Sequence, residues 1–455
     1  MPIEAVNPAT GELIAGYPGA SDSEVRAAIA RADDAFRAWR RTSFDERSAV
    51  LRGAAALLRE QADDLARLMA WEMGKVIGEG RAEATKCALV CDYYAQMAER
   101  FLAEEPVELD SGTGLVTFAP LGVVLAVMPW NFPLWQVFRF AAPALMAGNA
   151  CLLKHASNVP GCALAIERIL REAGLPDRLF TTLLIGSSKV PLVVGDPCVR
   201  AVTLTGSGPA GRSVAAEAGR DLKKIVLELG GSDPYVILED AHIPTAAATC
   251  VTSRLTNCGQ SCIAAKRFVV VEDVLDEFTE CFLEGMSAAR MGDPLDETTT
   301  IGPLARLDLR QELHQQVTRS IEAGAECLIG GEIPGGPGAF YPPTVLAGVR
   351  PGMSAHDEEL FGPVAAIIGV KDEAEAIAVA NDSAFGLGAA VFTRDLARGR
   401  RIATEELEAG CCFVNAFVRS DPRLPFGGIK DSGHGRELSH YGIREFVNIK
   451  TVFIA

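Results

Sequence analysis

The sequence predicts an α/β protein of two or three domains, with parallel sheets covered by helices. Three observations carry this expectation. Strand-like apolar runs alternate with helical runs from about residue 106 to 418. A Gly-rich segment, GSGPAG (206–211), stands between a strand-like run and a helical one. The chain has 455 residues, 49% of them hydrophobic, which is more than one small core takes up.

Residues 22–105 read as helices. In DSEVRAAIARADDAFRAWR, Val25, Ile29, Ala32 and Phe36 form one stripe, and a cap falls near 21–23. From about 106, VELD, LVTFAP and GVVLAVMP read as strands. FRFAAPALMAGN (helix) and ACLLKHAS (strand) open an alternating series that closes on IVLELGG. A second α/β stretch begins near 231 with DPYVILED, a helix over 243–260, KRFVVVED and a helix at 274–290. The last segment is loop-rich and ends in an apolar strand, NIKTVFIA, that needs a sheet edge, which another subunit can supply.

Composition narrows the function. The net charge of −16 repels nucleic acid and anionic lipid, so neither is an expected partner. No run approaches the length of a membrane span, and no secretory signal is legible, so a cytoplasmic location is expected. The 12 cysteines are diluted and read as reduced thiols. No CxxC or HExxH occurs and the six histidines lie far apart, so no metal site is expected. Cys87 and Cys91, four apart in an Ala-rich helix, read as packing.

GSGPAG matches the dinucleotide pattern G-x-G-x-x-G, and a helix start there offers free N–H groups to a pyrophosphate. A Gly-rich turn without ligand fits the segment equally well. Glu228 lies near the spacing at which that pattern places a ribose-binding acid. Its context, LELGG, fits a different task.

PWNFP (129–133), LLKHAS (152–157), LTGSGPAG (204–211), LELGG (227–231), GQSC (259–262), EELFGPV (358–364) and PFGGIKDSGHGRE (425–437) occur in this order. Together they resemble the aldehyde dehydrogenase superfamily, from NPATGE (7–12) to the final strand. The resemblance implies a Rossmann-type cofactor domain over 1–228, with oligomerisation strands near 106–120, and an α/β catalytic domain over 229–420. Residues 421–455 would return to the cofactor domain and end in the oligomerisation strand of a homodimer or homotetramer.

The chemistry is coherent on its own terms. An aldehyde carbonyl holds no hydride ready to leave. A thiolate that adds to it creates a tetrahedral oxyanion that can expel one, leaving a thioester for water to cleave. The resemblance assigns Cys262 as nucleophile, Asn131 as oxyanion donor and Glu228 as base for the water, with Cys258 a packed bystander. A free cysteine is only a few per cent thiolate near neutrality, so the site must lower its pKa or use a base. Trp130, Lys154, Ser157, Gly206, Ser207, Gly211, Leu229, Glu359 and Phe361 are implied to bind the dinucleotide. His155 follows Lys154 where the family usually has Pro, and Ser157 stands where NAD-preferring members often carry Glu. Ser157 neither repels nor clamps a 2′-phosphate, and His155 could add charge only when protonated, so use of both NAD and NADP is expected.

Arg139, eight residues after Asn131, resembles an arginine of bacterial succinate-semialdehyde dehydrogenases, as Ser420 resembles a serine of their substrate loop. Arg139, Phe132, Trp135 and Ser420 are thereby implied to bind a carboxylated aldehyde. A second arginine of that branch is Thr256 here, and Arg254, Arg419 and Arg423 lie nearby in sequence. A general aliphatic or aromatic aldehyde is the alternative substrate. A coenzyme A-acylating or phosphorylating enzyme, or a non-catalytic structural protein on the same fold, are the more distant alternatives.

Overall fold

A computed structural model describes residues 3–455. Four helices, Asp22–Trp39, Phe44–Glu60, Ala62–Met73 and Ile77–Phe101, make up most of the N-terminal quarter. Capping boxes at Ser21 with Glu24, and Ser43 with Glu46, start the first two. The second and third helices pack along Ile77–Phe101, which also touches the helix Trp135–Met146.

Two sheets follow. The first runs, in spatial order, Phe180–Thr182, Ala150–His155, Val123–Met128, Val199–Thr205, Lys224–Glu228, with Gly433–His434 antiparallel at the edge. The other four pairings are parallel. In chain order the five parallel strands lie 3-2-1-4-5, so the order reverses between Val123–Met128 and Val199–Thr205. That reversal opens a crevice beyond the carboxyl ends of those two strands. PWNFP and GSGPAG are the segments that leave those ends.

The second sheet has seven strands in the order Glu326–Ile329, Thr344–Ala347, Val364–Val370, Arg267–Val271, Pro234–Ile237, Gly388–Phe392, Cys411–Val414, with only the first antiparallel. Its inner strands are buried on both faces, which is why they read as unbroken apolar runs. A third sheet joins Glu105–Val107, Thr113–Pro120 and the terminal Val447–Ile454. Ile449, Phe453 and Ile454 on that last strand are exposed.

One expected element is shorter than the sequence implies. The helix over 243–260 ends at Leu255, and Thr256–Gly259 is a tight turn. Asn257, Cys258 and Gly259 adopt φ of 53°, 56° and 73°. The backbone reverses here and brings Cys262 to the crevice.

Candidate active site

The turn before Cys262 is fixed from both sides. Asn257 Nδ2 donates to the Asn131 carbonyl (2.8 Å) and to the Gln260 carbonyl (3.0 Å). Asn131 Nδ2 donates to the same Gln260 oxygen (3.0 Å). The carboxylate of Glu79 accepts from the Asn257 backbone N–H (2.8 Å). Behind the nucleophile, Lys266 Nζ donates to the carbonyls of Ser261 (2.8 Å) and Cys262 (2.7 Å) and lies 3.5 Å from Glu359. Only glycine fits at 259, because its φ is positive and a Cβ would strike the Gly362 carbonyl. Cys258 is buried, and its sulfur accepts from the Gly302 N–H (3.1 Å).

Cys262 is half-buried at the meeting of two cavities, and Gln136 is the one other residue that lines both. The larger, about 700 Å³, is the crevice at the strand-order reversal. Trp130, Asn131, Gly206, Ser207, Leu229, Glu359 and Phe361 line it. Ser207 precedes the helix Gly208–Arg220, and its side chain makes no capping bond, so the first N–H groups of that helix face the groove unspent. Trp130 and Phe361 meet edge to face, 5.7 Å between centroids. Glu359 accepts from the Gly231 N–H at 3.0 Å.

Three of the residues implied to bind the dinucleotide lie off the groove wall. Gly211 is buried inside the helix, where a Cβ would overlap Leu229, so it serves close helix–strand packing. Lys154 is half-buried at the end of its strand, and burial lowers its pKa. Ser157 is exposed in the following turn. His155 follows Lys154 on the strand. Its ring is buried, Nδ1 accepts from the Ala156 N–H (2.9 Å), and Nε2 therefore carries the proton that goes to the Pro133 carbonyl (2.8 Å). Burial pushes its pKa down to about 4. A neutral imidazole holding the PWNFP loop adds no charge for a phosphate.

The smaller cavity, about 140 Å³, runs from Cys262 past Phe132, Trp135 and Phe417 to Ser420 and Arg419. Arg139 lies in its wall. It is 2% exposed, forms an ion pair with Glu437, donates to Thr205 Oγ1 (3.3 Å) and stacks over Phe426 (4.8 Å). Arg254 is buried behind the nucleophile turn and donates to the Gly259 carbonyl (2.6 Å), Arg419 is exposed at the rim, and Arg423 pairs with Asp421.

Glu228 is buried, and neither of its carboxylate oxygens has a hydrogen-bond partner among the described residues. Burial raises its pKa well above the carboxylate range, the neighbouring Glu437 raises it further, and Arg139 and Arg436 oppose them. Glu437 is likewise raised by burial and lowered by Arg139. One guanidinium thus faces two carboxyls, and it opposes the upward shift of both. Burial also pushes the Cys262 thiol up to about 12, against smaller opposing effects of Lys266 and Arg139. Of the two routes to a thiolate, the resting site therefore depends on a base.

Sequence reasoning missed one group of side chains altogether. Glu79, Glu83 and Lys86 recur at i, i+4, i+7 on the helix Ile77–Phe101 and face the site. Glu83 pairs with buried Lys75 and accepts from the N–H groups of Leu134 (2.8 Å) and Trp135 (2.9 Å). Lys86 Nζ donates to Ser420 Oγ (2.7 Å) and lies 4.2 Å over the Trp135 ring. The signal was available: three charges on the stripe where an Ala-rich helix places its core residues.

The aldehyde dehydrogenase family matches residues 1–452. A Mycobacterium tuberculosis protein named succinate-semialdehyde dehydrogenase (NADP+) is 50% identical over 458 residues, covering 100% of both chains. A Synechocystis protein named probable succinate-semialdehyde dehydrogenase (NADP+) is 50% identical over 455 residues, again covering 100% of both. The crystal structure of succinic semialdehyde dehydrogenase from Streptococcus pyogenes in complex with NADP+ superposes with a TM-score of 0.97 at 39% identity, over 99% of each chain. With a matched family, full-length relatives and a thiol between two cavities, the chain belongs to the aldehyde dehydrogenase family.

Proposed function

We propose that the protein oxidises succinic semialdehyde to succinate with NADP or NAD. The observation that carries the reading is the place of Cys262 between a dinucleotide-sized groove and a narrow cavity that ends at cationic side chains. The names of the full-length relatives support the same substrate and favour NADP.

The groove fits a nicotinamide dinucleotide: an unspent helix N-terminus at Ser207, an aromatic pair at Trp130 and Phe361, and the Glu359 carboxylate near Cys262. Glu359 and Phe361 would hold the nicotinamide end, Ser207 the pyrophosphate, and Lys154 with Ser157 the adenosine ribose. When bound, the dinucleotide supplies the acceptor for the departing hydride.

Cys262 forms the bond to the aldehyde carbon as its proton passes to a base, and Glu228 is the base at hand. The raised pKa of Glu228 makes that transfer less uphill than to an ordinary carboxylate. Asn131 Nδ2, held by the Gln260 carbonyl through one of its two protons, directs the other at the developing oxyanion. One such donor is worth about 3 kcal/mol in the transition state. Loss of hydride leaves a Cys262 thioester; Glu228, once it has passed the first proton to solvent, takes a proton from the water that cleaves it, and the Cys262 thiolate leaves. Hydrolysis follows from having this base beside the thioester, and needs no coenzyme A.

The same reading assigns 1–228 with 421–455 to the cofactor unit and 229–420 to the catalytic unit, since the strands of the six-stranded sheet come from the first and those of the seven-stranded sheet from the second. It makes the exposed strand Val447–Ile454 a subunit contact in a cytoplasmic homodimer or homotetramer. No helix among the described residues is long and apolar enough to cross a membrane. The test of function is a kinetic panel of carboxylated, aliphatic and aromatic aldehydes with each cofactor. Highest kcat/KM for succinic semialdehyde supports the reading, and equal values for butanal overturn its substrate.

A further inference from the structure

We propose that Lys266 is a positioning residue that aims and polarises the Cys262 backbone N–H as a donor to the developing oxyanion, beside Asn131. This rests on the thioester reading above and deepens it. Lys266 is fully buried, and its Nζ donates to the carbonyls of Ser261 (2.8 Å) and Cys262 (2.7 Å). The Ser261 carbonyl and the Cys262 N–H belong to one peptide unit, and no described peptide bond is cis. In a trans peptide the two groups point in opposite directions. An ammonium on the oxygen therefore turns the N–H away from itself and strengthens it as a donor. That N–H has no hydrogen-bond acceptor among the described residues. Lys266 stands outside both cavities that Cys262 lines, so the free N–H faces the open side.

The support behind the ammonium is rigid. The Lys266 N–H donates to the Asp233 carbonyl (3.1 Å), and the Lys266 carbonyl accepts from the Ala366 N–H (2.9 Å). Both bonds tie it to the seven-stranded sheet, one residue before the strand Arg267–Val271. Its third side-chain contact is Glu359, 3.5 Å away. Burial works against the charge of Lys266, Glu359 and Asp233 support it, and Arg254 opposes it. A buried charge is a weak source of stability, because desolvation offsets the attraction. Its place behind the reacting peptide gives it another use. Negative charge develops on the oxygen of every aldehyde that Cys262 attacks, and again when water attacks the thioester. A fixed positive charge behind the donor favours both steps without touching substrate. The same charge acts on the sulfur. Burial raises the Cys262 thiol, Lys266 and Arg139 lower it, and Glu359 and Glu228 raise it. The two effects are separable, because alkylation of the sulfur forms no oxyanion.

The experiment compares wild type with Lys266→Met, Lys266→Gln and Lys266→Arg. It measures kcat and KM for succinic semialdehyde and butanal with NADP, and the rate of Cys262 alkylation by iodoacetamide at one fixed pH. Lys266→Met should lower kcat about 10- to 100-fold on both aldehydes, somewhat less than loss of a whole oxyanion donor. KM should stay within about threefold, and alkylation should slow by about fivefold or less. Lys266→Gln, which keeps a donor without the charge, should recover part of kcat, and Lys266→Arg should recover more. Equal fold losses in kcat and in alkylation would confine Lys266 to the sulfur and overturn the proposal. So would a rise in KM with kcat unchanged. Where Lys266→Met does not fold, the same two losses are compared in Lys266→Gln. A wild type that keeps full activity after stoichiometric alkylation of Cys262 would overturn the thioester reading itself, whatever the variants do.

Discussion

The two cavities that meet at Cys262 are built differently. The groove takes much of its lining from short segments, the turn after one strand, the start of one helix and the LELGG bend, and closes against the helix Leu307–Glu322. The narrow cavity is made of side chains brought from distant places, Lys86 from a helix, Arg139 from another, Phe417 to Phe426 from a late loop. Backbone sites depend on Gly, Pro and strand order, which are local and leave motifs. Side-chain sites depend on which helix face turns inward, and one lysine among many carries no motif.

That difference sets what each substitution should do. The largest effect is expected where the cavities join. Cys262→Ser should lower kcat on the order of a thousandfold or more for every aldehyde while leaving the NADP dissociation constant unchanged by fluorescence titration. A weakened NADP affinity would mean that the sulfur belongs to the groove and not to the boundary.

A smaller effect, confined to the wall of the narrow cavity, is expected for Arg139→Met. Arg139 lowers the pKa of Glu228 and Glu437, so its removal raises both. The acidic limb of kcat should move to higher pH, and carboxylated and neutral aldehydes should lose activity alike. Stability should drop by about 3 kcal/mol near and above neutrality. Both carboxyls have raised pKa values in the folded protein, so the deficit shrinks as pH falls and they protonate. A loss restricted to carboxylated aldehydes would return Arg139 to substrate binding.

The smallest effect is on the groove side. His155, pushed down to about 4, stays neutral across the physiological range. KM for NADP should therefore show no step near pH 6.5 that disappears in His155→Gln, the ordinary imidazole range. Such a step would mean that the ring charges and contacts the 2′-phosphate.

The sequence made the segments beside the groove legible because some residue types there are forced: no Cβ fits at Gly259, and Gly211 abuts Leu229. The alternation of strands and helices likewise announced both sheets. The sequence could not show that Arg139 meets Glu437, since 298 positions separate the two and only folding pairs them. Nor could it show that the helix before Cys262 stops at Leu255, because Asn257 and Cys258 in left-handed conformation are held by contacts from Glu79 and Asn131. Glu79, Glu83 and Lys86 were visible as charges on a core stripe, but their partners were not.

The central claim is that Cys262 holds the acyl group between hydride loss and hydrolysis, with Glu228 serving the second step. Glu228→Gln mixed rapidly with NADP and succinic semialdehyde tests it most directly, by following NADPH absorbance and mapping the quenched protein by peptide mass. The expected result is a burst of NADPH stoichiometric with sites, slow turnover afterwards, and a succinyl adduct on the peptide at Cys262. Steady NADPH formation with no adduct, or an adduct on Cys258 instead, would contradict it.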